Sequence, residues 1–351
     1  MKTKVETKKL PKAQIEITGE IPEEKFEEKR KDAVKNLAHH VEIDGFRKGM
    51  APESVLVKKL GAMVVLEEMA HLALNEAYSE IIIENELDVI GAPEITITKI
   101  APGNPLGFKI VSAIVPEIEL PDYKKITSEI AKKKEEVYIT DQEVENTITE
   151  IRKQRAVKKN SSAEAPARTE GNEEPIVPEL TDEFAKSLGD FENVLALKEK
   201  IKENMKLEKE LRTKEKTRLE IIERITAEIK TEIPDVLIES ETEKLLMRMR
   251  GDIERMGLKF DDYLKNLKKT EGDFRKEWRS EGEKRAKIEL TLVKIAKIEN
   301  IKPKNEDVEK EVKHILEHYK DAKDTRVRDY VTSLLTSEKV FEFLENQGAK
   351  Q

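Results

Sequence analysis

The sequence predicts an α+β domain at the N-terminus, followed by an all-α, elongated C-terminal region with helical arms. Three observations carry this. Ala13-Gln14-Ile15-Glu16-Ile17-Thr18 alternates polar and apolar residues, the period of a half-buried strand. Glu94–Ile100 and Phe108–Ile118 read as two further strands, and the turn residues Pro102-Gly103-Asn104-Pro105 between them predict an antiparallel hairpin. Beyond Thr140 strand signals cease. The chain is 39% charged against 37% hydrophobic, with 5% aromatics and a single tryptophan. That is thin apolar content for one globule of 351 residues, so the helical part should have narrow cores and much wet surface.

Pro22 opens a charged helix through His40, with Phe26, Ala33, Val34, Leu37 and Val41 on one side; proline is favoured at a first helical position. Helices at Glu53–Leu60 and Ala62–Asn85 follow, the second being the most apolar in the chain. Thr140-Asp141-Gln142-Glu143 is a capping box opening a helix with Val144, Ile148 and Ile151 along one face. Asn160–Pro175 contains no large apolar residue and reads as a linker. Thr181-Asp182-Glu183 caps a short helix. Leu195–Lys230 is a long one whose middle, Arg212–Arg218, is almost wholly charged and should bridge solvent rather than pack. Pro234 starts another, and Glu271–Ile298, Asn305–Lys320 and Thr325–Asn346 complete the set. The predicted division is a domain at 1–118, a connector and first part of the helical body at 119–158, a flexible linker at 159–176 and a helical domain at 177–351.

The formal charge is −8, with 16 basic and 20 acidic residues up to residue 117, so −4 falls on each side of that point. Neither part is a basic nucleic-acid domain. Contact with RNA would need a local patch, and two exist: Lys2, Lys4, Lys8, Lys9 and Lys12, and the group Arg47, Lys48, Lys58 and Lys59. The absence of cysteine excludes disulfide scaffolds, thiolate zinc sites and cysteine nucleophiles. MKTKVETKKL lacks the apolar stretch of a secretory signal, and no run is long enough to span a bilayer. The expectation is a soluble, cytoplasmic protein with no membrane contact.

One loop stands out. Gly45 and Gly49 bracket Phe46, Arg47 and Lys48, and Pro52 closes the segment ahead of the Glu53 helix. Glycine allows tight reversal and proline fixes the exit, so such a loop presents its tip outward. On pattern alone it could equally be an ordinary surface loop with Phe46 tucked inward. The string Gly45-Phe46-Arg47-Lys48-Gly49-Met50-Ala51-Pro52 resembles the ribosome-binding signature of trigger factor, and the order strand, long helix, loop, two helices, hairpin is similar too. Val177-Pro178-Glu179-Leu180-Thr181-Asp182-Glu183-Phe184 resembles that family's entry into its helical C-terminal domain. The likeness covers roughly 1–155 and 176–346.

The resemblance implies an ATP-independent chaperone that docks at the nascent-chain exit tunnel and holds unfolded nascent polypeptides between helical arms. Arg47 and Lys48 would meet acidic side chains of a ribosomal protein or phosphates of ribosomal RNA, with Phe46 as apolar anchor; such contacts weaken with salt. Members of the family can dimerise off the ribosome, and no feature here decides that. Trigger factor usually carries an FKBP-type prolyl isomerase domain where this chain has only the linker. No aromatic residue lies between Tyr138 and Phe184 to line such a pocket, so no enzyme activity is expected. The competing reading is a free helical scaffold or adaptor without ribosome binding.

Two further groups have recognisable spacing. His314-Ile315-Leu316-Glu317-His318 matches H-x-x-E-H, but a catalytic zinc needs a third ligand and a cleft, so the histidines read as incidental. Leu245, Leu246, Met247, Met249, Ile253 and Met256 form a stripe that is either the buried seam of a helical hairpin or an adaptable client-binding face, for which methionine is suited. No P-loop, dinucleotide fingerprint or Ser/His/Asp grouping is present; no cofactor, metal or catalytic residue is assigned.

Overall fold

A computed structural model describes residues 4–43, 46–47, 49–132, 137–161 and 177–349, apart from the side chains of 156–161 and 348–349. Residues 1–120 pack with 228–300 as one unit, and residues 121–227 pack with 301–351 as another.

The first unit holds a four-stranded antiparallel sheet of β1 (Lys4–Leu10), β2 (Gln14–Ile21), β3 (Val89–Lys99) and β4 (Leu106–Ile114) in the order β1-β2-β4-β3. Ile15, Ile17 and Ile21 of β2 and Leu106, Phe108 and Ile110 of β4 point to one face. The long helix α4 (Ala62–Glu84) covers that face with Val65, Leu66, Met69, Ala70, Ala73, Leu74, Ala77 and Ile81. This is a helix-on-sheet layer whose two periods, 2 and 3.6, both appear in the sequence. The hydroxyl of Tyr78 meets buried Ser112 at 2.8 Å, so these two polar groups satisfy each other.

β1 was not expected. KVETKKL is an edge strand, exposed except at Val5 and Leu10, and lysine-rich edges lack the apolar signal that betrays a strand. β3 begins at Val89 rather than Glu94, with a register shift between Ile90 and Glu94 around Pro93. The helix expected from Pro22 to His40 is two, α1 (Glu23–Glu28) and α2 (Arg30–His40), joined where the Lys29 amide bonds back to Phe26 O at 3.2 Å in a tighter turn. α3 (Glu53–Leu60) follows the loop.

The same unit includes a helical hairpin. α9 (Asp235–Arg255) and α11 (Glu271–Ile298) lie side by side, with the short α10 (Phe260–Leu267) between them in sequence. Leu246, Ile253, Phe260, Leu264 and Phe274 form its outer core, flanked by Met249 and Trp278. Thr270 and Asp273 form a capping box at the start of α11.

The second unit contains α5 (Tyr123–Ala131), α6 (Asp141–Ser161), α7 (Asp182–Leu188), α8 (Val194–Glu228), α12 (Asn305–His318) and α13 (Asp324–Ala349). The expected capping box is present: Thr140 N–H donates to Glu143 at 2.8 Å and Glu143 N–H to the Thr140 hydroxyl at 3.3 Å. Asp141, Glu143 and Glu145 of α6 pair with Lys202, Lys209 and Lys198 of α8. The middle of α8 is solvated only in part. Arg218 lies against α13, its guanidinium bonding Glu338 at 2.8 and 2.9 Å and Glu345 at 2.8 Å, over the ring of Phe341. The partners sit on a distant segment, so the charge run alone pointed the wrong way there. α5 and α10 are short helices the sequence reading missed. The predicted linker 159–176 lies outside the described residues, save that 159–161 close α6.

Candidate functional site

The loop after α2 rests on its own small core. Ala38 and Ile43 before it and Ala51 and Leu56 after it are buried together, with Val34, Leu37, Val41, Val55 and Leu60 around them. Three backbone bonds shape the turn: Phe46 N–H to Ile43 O at 3.1 Å, Met50 N–H to Arg47 O at 2.9 Å, and Gly49 N–H to Ala38 O at 2.8 Å. Gly49 adopts φ +86, where side chains are disfavoured, and a Cβ there would fall 2.5 Å from His39 Cε1. Pro52, at φ −63, leads into α3, and Lys59 Nζ reaches back to Glu42 O at 2.7 Å.

The tip faces solvent. Phe46 is 42% and Met50 72% exposed, and Arg47 is exposed beside them. Phe46 is therefore not tucked inward. Gly45 and Lys48 lie outside the described residues. Arg30 takes the nearby carboxylate of Glu53 at 2.9 Å while also holding Glu27; these hydrogen bonds, Glu27 first, raise its pKa further. Glu53 is thereby partly neutralised, and Arg47 and Lys58 are both exposed. An apolar, basic tip on a fixed base can insert between acidic groups or phosphates on a partner. Met50 and His39 were missed as parts of the site. Met50 stands within the quoted string, whereas nothing in the sequence tells which side of α2 meets Gly49.

The methionine stripe divides. Leu246 and Ile253 are buried in the hairpin and Leu245 and Met249 half-buried, whereas Met247 and Met256 are 63% and 75% exposed. Leu258 and Leu267 of the same region are exposed as well. His314 and His318 stack edge to face at 5.0 Å on α12, and no group of three metal-binding side chains occurs among the described residues. Among these residues no helix is long and apolar enough to cross a membrane.

Residues 1–151 match the family model described as bacterial trigger factor protein (TF), and residues 193–347 that of the bacterial trigger factor protein (TF) C-terminus. The trigger factor of Halothermothrix orenii is 26% identical over 387 residues, covering 89% of each chain. That of Caldanaerobacter subterraneus subsp. tengcongensis is 28% identical over 393 residues, with the same coverage. Both alignments are longer than this 351-residue chain, so the relatives carry segments that it lacks. A solved structure from work on promiscuous substrate recognition in folding and assembly by the trigger factor chaperone shares the fold, with a TM-score of 0.52. It is 19% identical, and the match covers 98% of this chain and 99% of that one. Only residues 152–192 separate the two matched regions, which leaves no room for the middle isomerase domain. The chain belongs to the trigger factor family, in a form without the prolyl isomerase domain.

Proposed function

We propose that this chaperone acts without ATP, docking on the ribosome through the 45–52 loop and holding nascent polypeptides as they emerge. The observation that carries the reading is the exposure of Phe46, Arg47 and Met50 together on a loop whose base is buried and hydrogen-bonded. A tip held this way loses little conformational freedom on docking. The partners are a protein and RNA of the tunnel exit, in the cytoplasm. Client contact falls to exposed Met247, Met256, Leu258 and Leu267 rather than to the buried members of the stripe, because flexible thioethers adapt to varied sequences. Release follows when the client buries its own apolar residues. No catalysis is assigned.

The test is co-sedimentation with ribosomes. Phe46, Arg47 and Lys48 changed together to alanine should abolish pelleting while leaving helical content unchanged. Equal pelleting of variant and parent would leave the free-scaffold reading standing. A prolyl-isomerisation assay giving rates above background would contradict the assignment of holding alone.

A further inference from the structure

The β1–β2 turn touches the helical hairpin of its own unit. Lys12 Nζ lies 2.8 Å from one carboxylate oxygen of Asp235, and Arg279 of α11 bonds the other. Lys12 N–H donates to Glu232 at 2.7 Å, on the segment leading into α9. Lys12 and Ala13 both adopt left-handed backbone, φ 58 and 49, which side-chain-bearing residues hold only where neighbours secure them. The hairpin thus grips the turn by its charge and by its amide.

Direct apolar packing of α9 and α11 on the strands is slight. Val236 rests on Gly91 of β3. Beside it a cavity of about 250 Å³ lies between Ile90 of β3 and Val115, just past β4, on one side and Leu237, Leu290 and Val293 of the hairpin on the other, with Lys244 and Glu289 also lining it; Val115 and Val293 are 45% and 54% exposed. The two bodies on either side have their own filled cores. Residues 229–234 before α9 are non-helical but held, with Ile229 and Ile233 buried and the Thr231 hydroxyl donating to Glu117 O at 3.3 Å, whereas the stretch after Ile298 is non-helical with Asn300 in left-handed backbone. Between two filled bodies with so little direct helix-on-sheet packing, the charges at the turn carry a large share of the hold.

We propose that the β1–β2 turn is an ionic latch: Lys12, Asp235 and Arg279 hold the α9–α11 hairpin against the sheet. Releasing them lets the hairpin swing out and opens the cavity between Ile90, Val115, Leu237, Leu290 and Val293. The latch is exposed, with the Lys12 side chain at 54% and Asp235 at 34%, so salt weakens it. The proposal stands independently of ribosome docking.

The chain has no cysteine, so two introduced cysteines can carry spin labels cleanly. Glu6 on β1 and Glu283 on α11 are exposed and outside the latch. Pulsed electron–electron distance measurement on the full chain at low salt should give one narrow distribution. Lys12→Met with Asp235→Asn should raise a longer-distance population about three- to tenfold, the range for losing one or two exposed ion pairs. Lys12→Met alone, which leaves the α9 N-terminus untouched, should shift it in the same direction, and added salt should do so in the parent. Trp278 fluorescence checks that the hairpin stays folded. Lys265→Met removes the exposed Lys265–Asp262 pair of α10 and should change nothing. Identical distributions in parent and latch variants overturn the proposal, as does an equal shift from Lys265→Met.

Discussion

Two glycine-to-alanine changes on the same hairpin should move its stability in opposite directions. Gly282 on α11 faces α9 so closely that a Cβ there would collide with the Thr242 hydroxyl and lie 2.9 Å from Ile238 O. Neither can give way freely. Thr242 is 4% exposed, and its hydroxyl donates to that same Ile238 carbonyl at 2.7 Å. Alanine gains about 1 kcal/mol of helix propensity over glycine. Overpacking costs about 1–3 kcal/mol, and displacing a buried hydroxyl from its acceptor about 1 kcal/mol more. Gly282→Ala should therefore destabilise the hairpin by about 1–3 kcal/mol. At Gly251 on α9 a Cβ meets nothing within 4 Å, so Gly251→Ala keeps the propensity gain of about 1 kcal/mol. Trp278, the one tryptophan, packs on Phe274 at 5.1 Å within this hairpin, so its fluorescence reports local unfolding in a two-unit chain. With a urea slope of about 2 kcal/mol/M, the midpoint should fall by about 0.5–1.5 M for Gly282→Ala and rise by about 0.5 M for Gly251→Ala. A Gly282→Ala midpoint at or above the parent's refutes the close crossing, and a lowered Gly251→Ala midpoint refutes the open one.

Arg218→Met should loosen α13. It leaves Glu345, 23% exposed, with Lys214 at 3.7 Å as its ion pair among the described residues, and hydrogen exchange over 338–346 should quicken about tenfold or more, from a loss of about 2 kcal/mol. The Arg218 hydrogen bond holds the Glu338 carboxyl below its ordinary value. A depressed carboxylate contributes stability above its unfolded pKa of about 4.3 and loses it as pH falls through the lower folded value. Protection of α13 should thus decline below about pH 4 in the parent, and that part of the decline should vanish in Arg218→Met. Thr270→Ala removes the cap of α11 and should lower the Trp278 midpoint by about 0.5 M, from about 1 kcal/mol. Gly49→Ala should weaken ribosome pelleting several-fold while leaving that midpoint in place, because φ +86 and the His39 ring both oppose the new methyl.

Much of this was legible in the sequence. The alternation of Ile15 and Ile17, the turn at 102–105, the apolar face of Ala62–Glu84 and the capping box at Thr140 each state a local rule that the fold obeys. β1 was hidden because an edge strand survives on its neighbour's hydrogen bonds and carries lysines where a central strand carries isoleucines. Arg218 was misjudged because its partners lie more than a hundred residues away, beyond any helical period. In the 45–52 loop the residue types at the tip could be read, whereas the His39 ring beside Gly49 depends on how α2 is turned. The methionine stripe shows the limit of periodicity. It locates a helix face over 245–256 but cannot tell Leu246, which the hairpin covers, from Met247, which it leaves in water.

The central claim is that Phe46 sits at the point of contact with the ribosome. Replacing Phe46 by a photo-crosslinking phenylalanine analogue in the full chain, mixing it with purified ribosomes and irradiating at low and high salt tests this directly. The account predicts a discrete adduct with a ribosomal component, weakened at high salt and lost when Arg47 and Lys48 are also changed to alanine. No adduct above that given by the same analogue at Glu283, on α11, would contradict it.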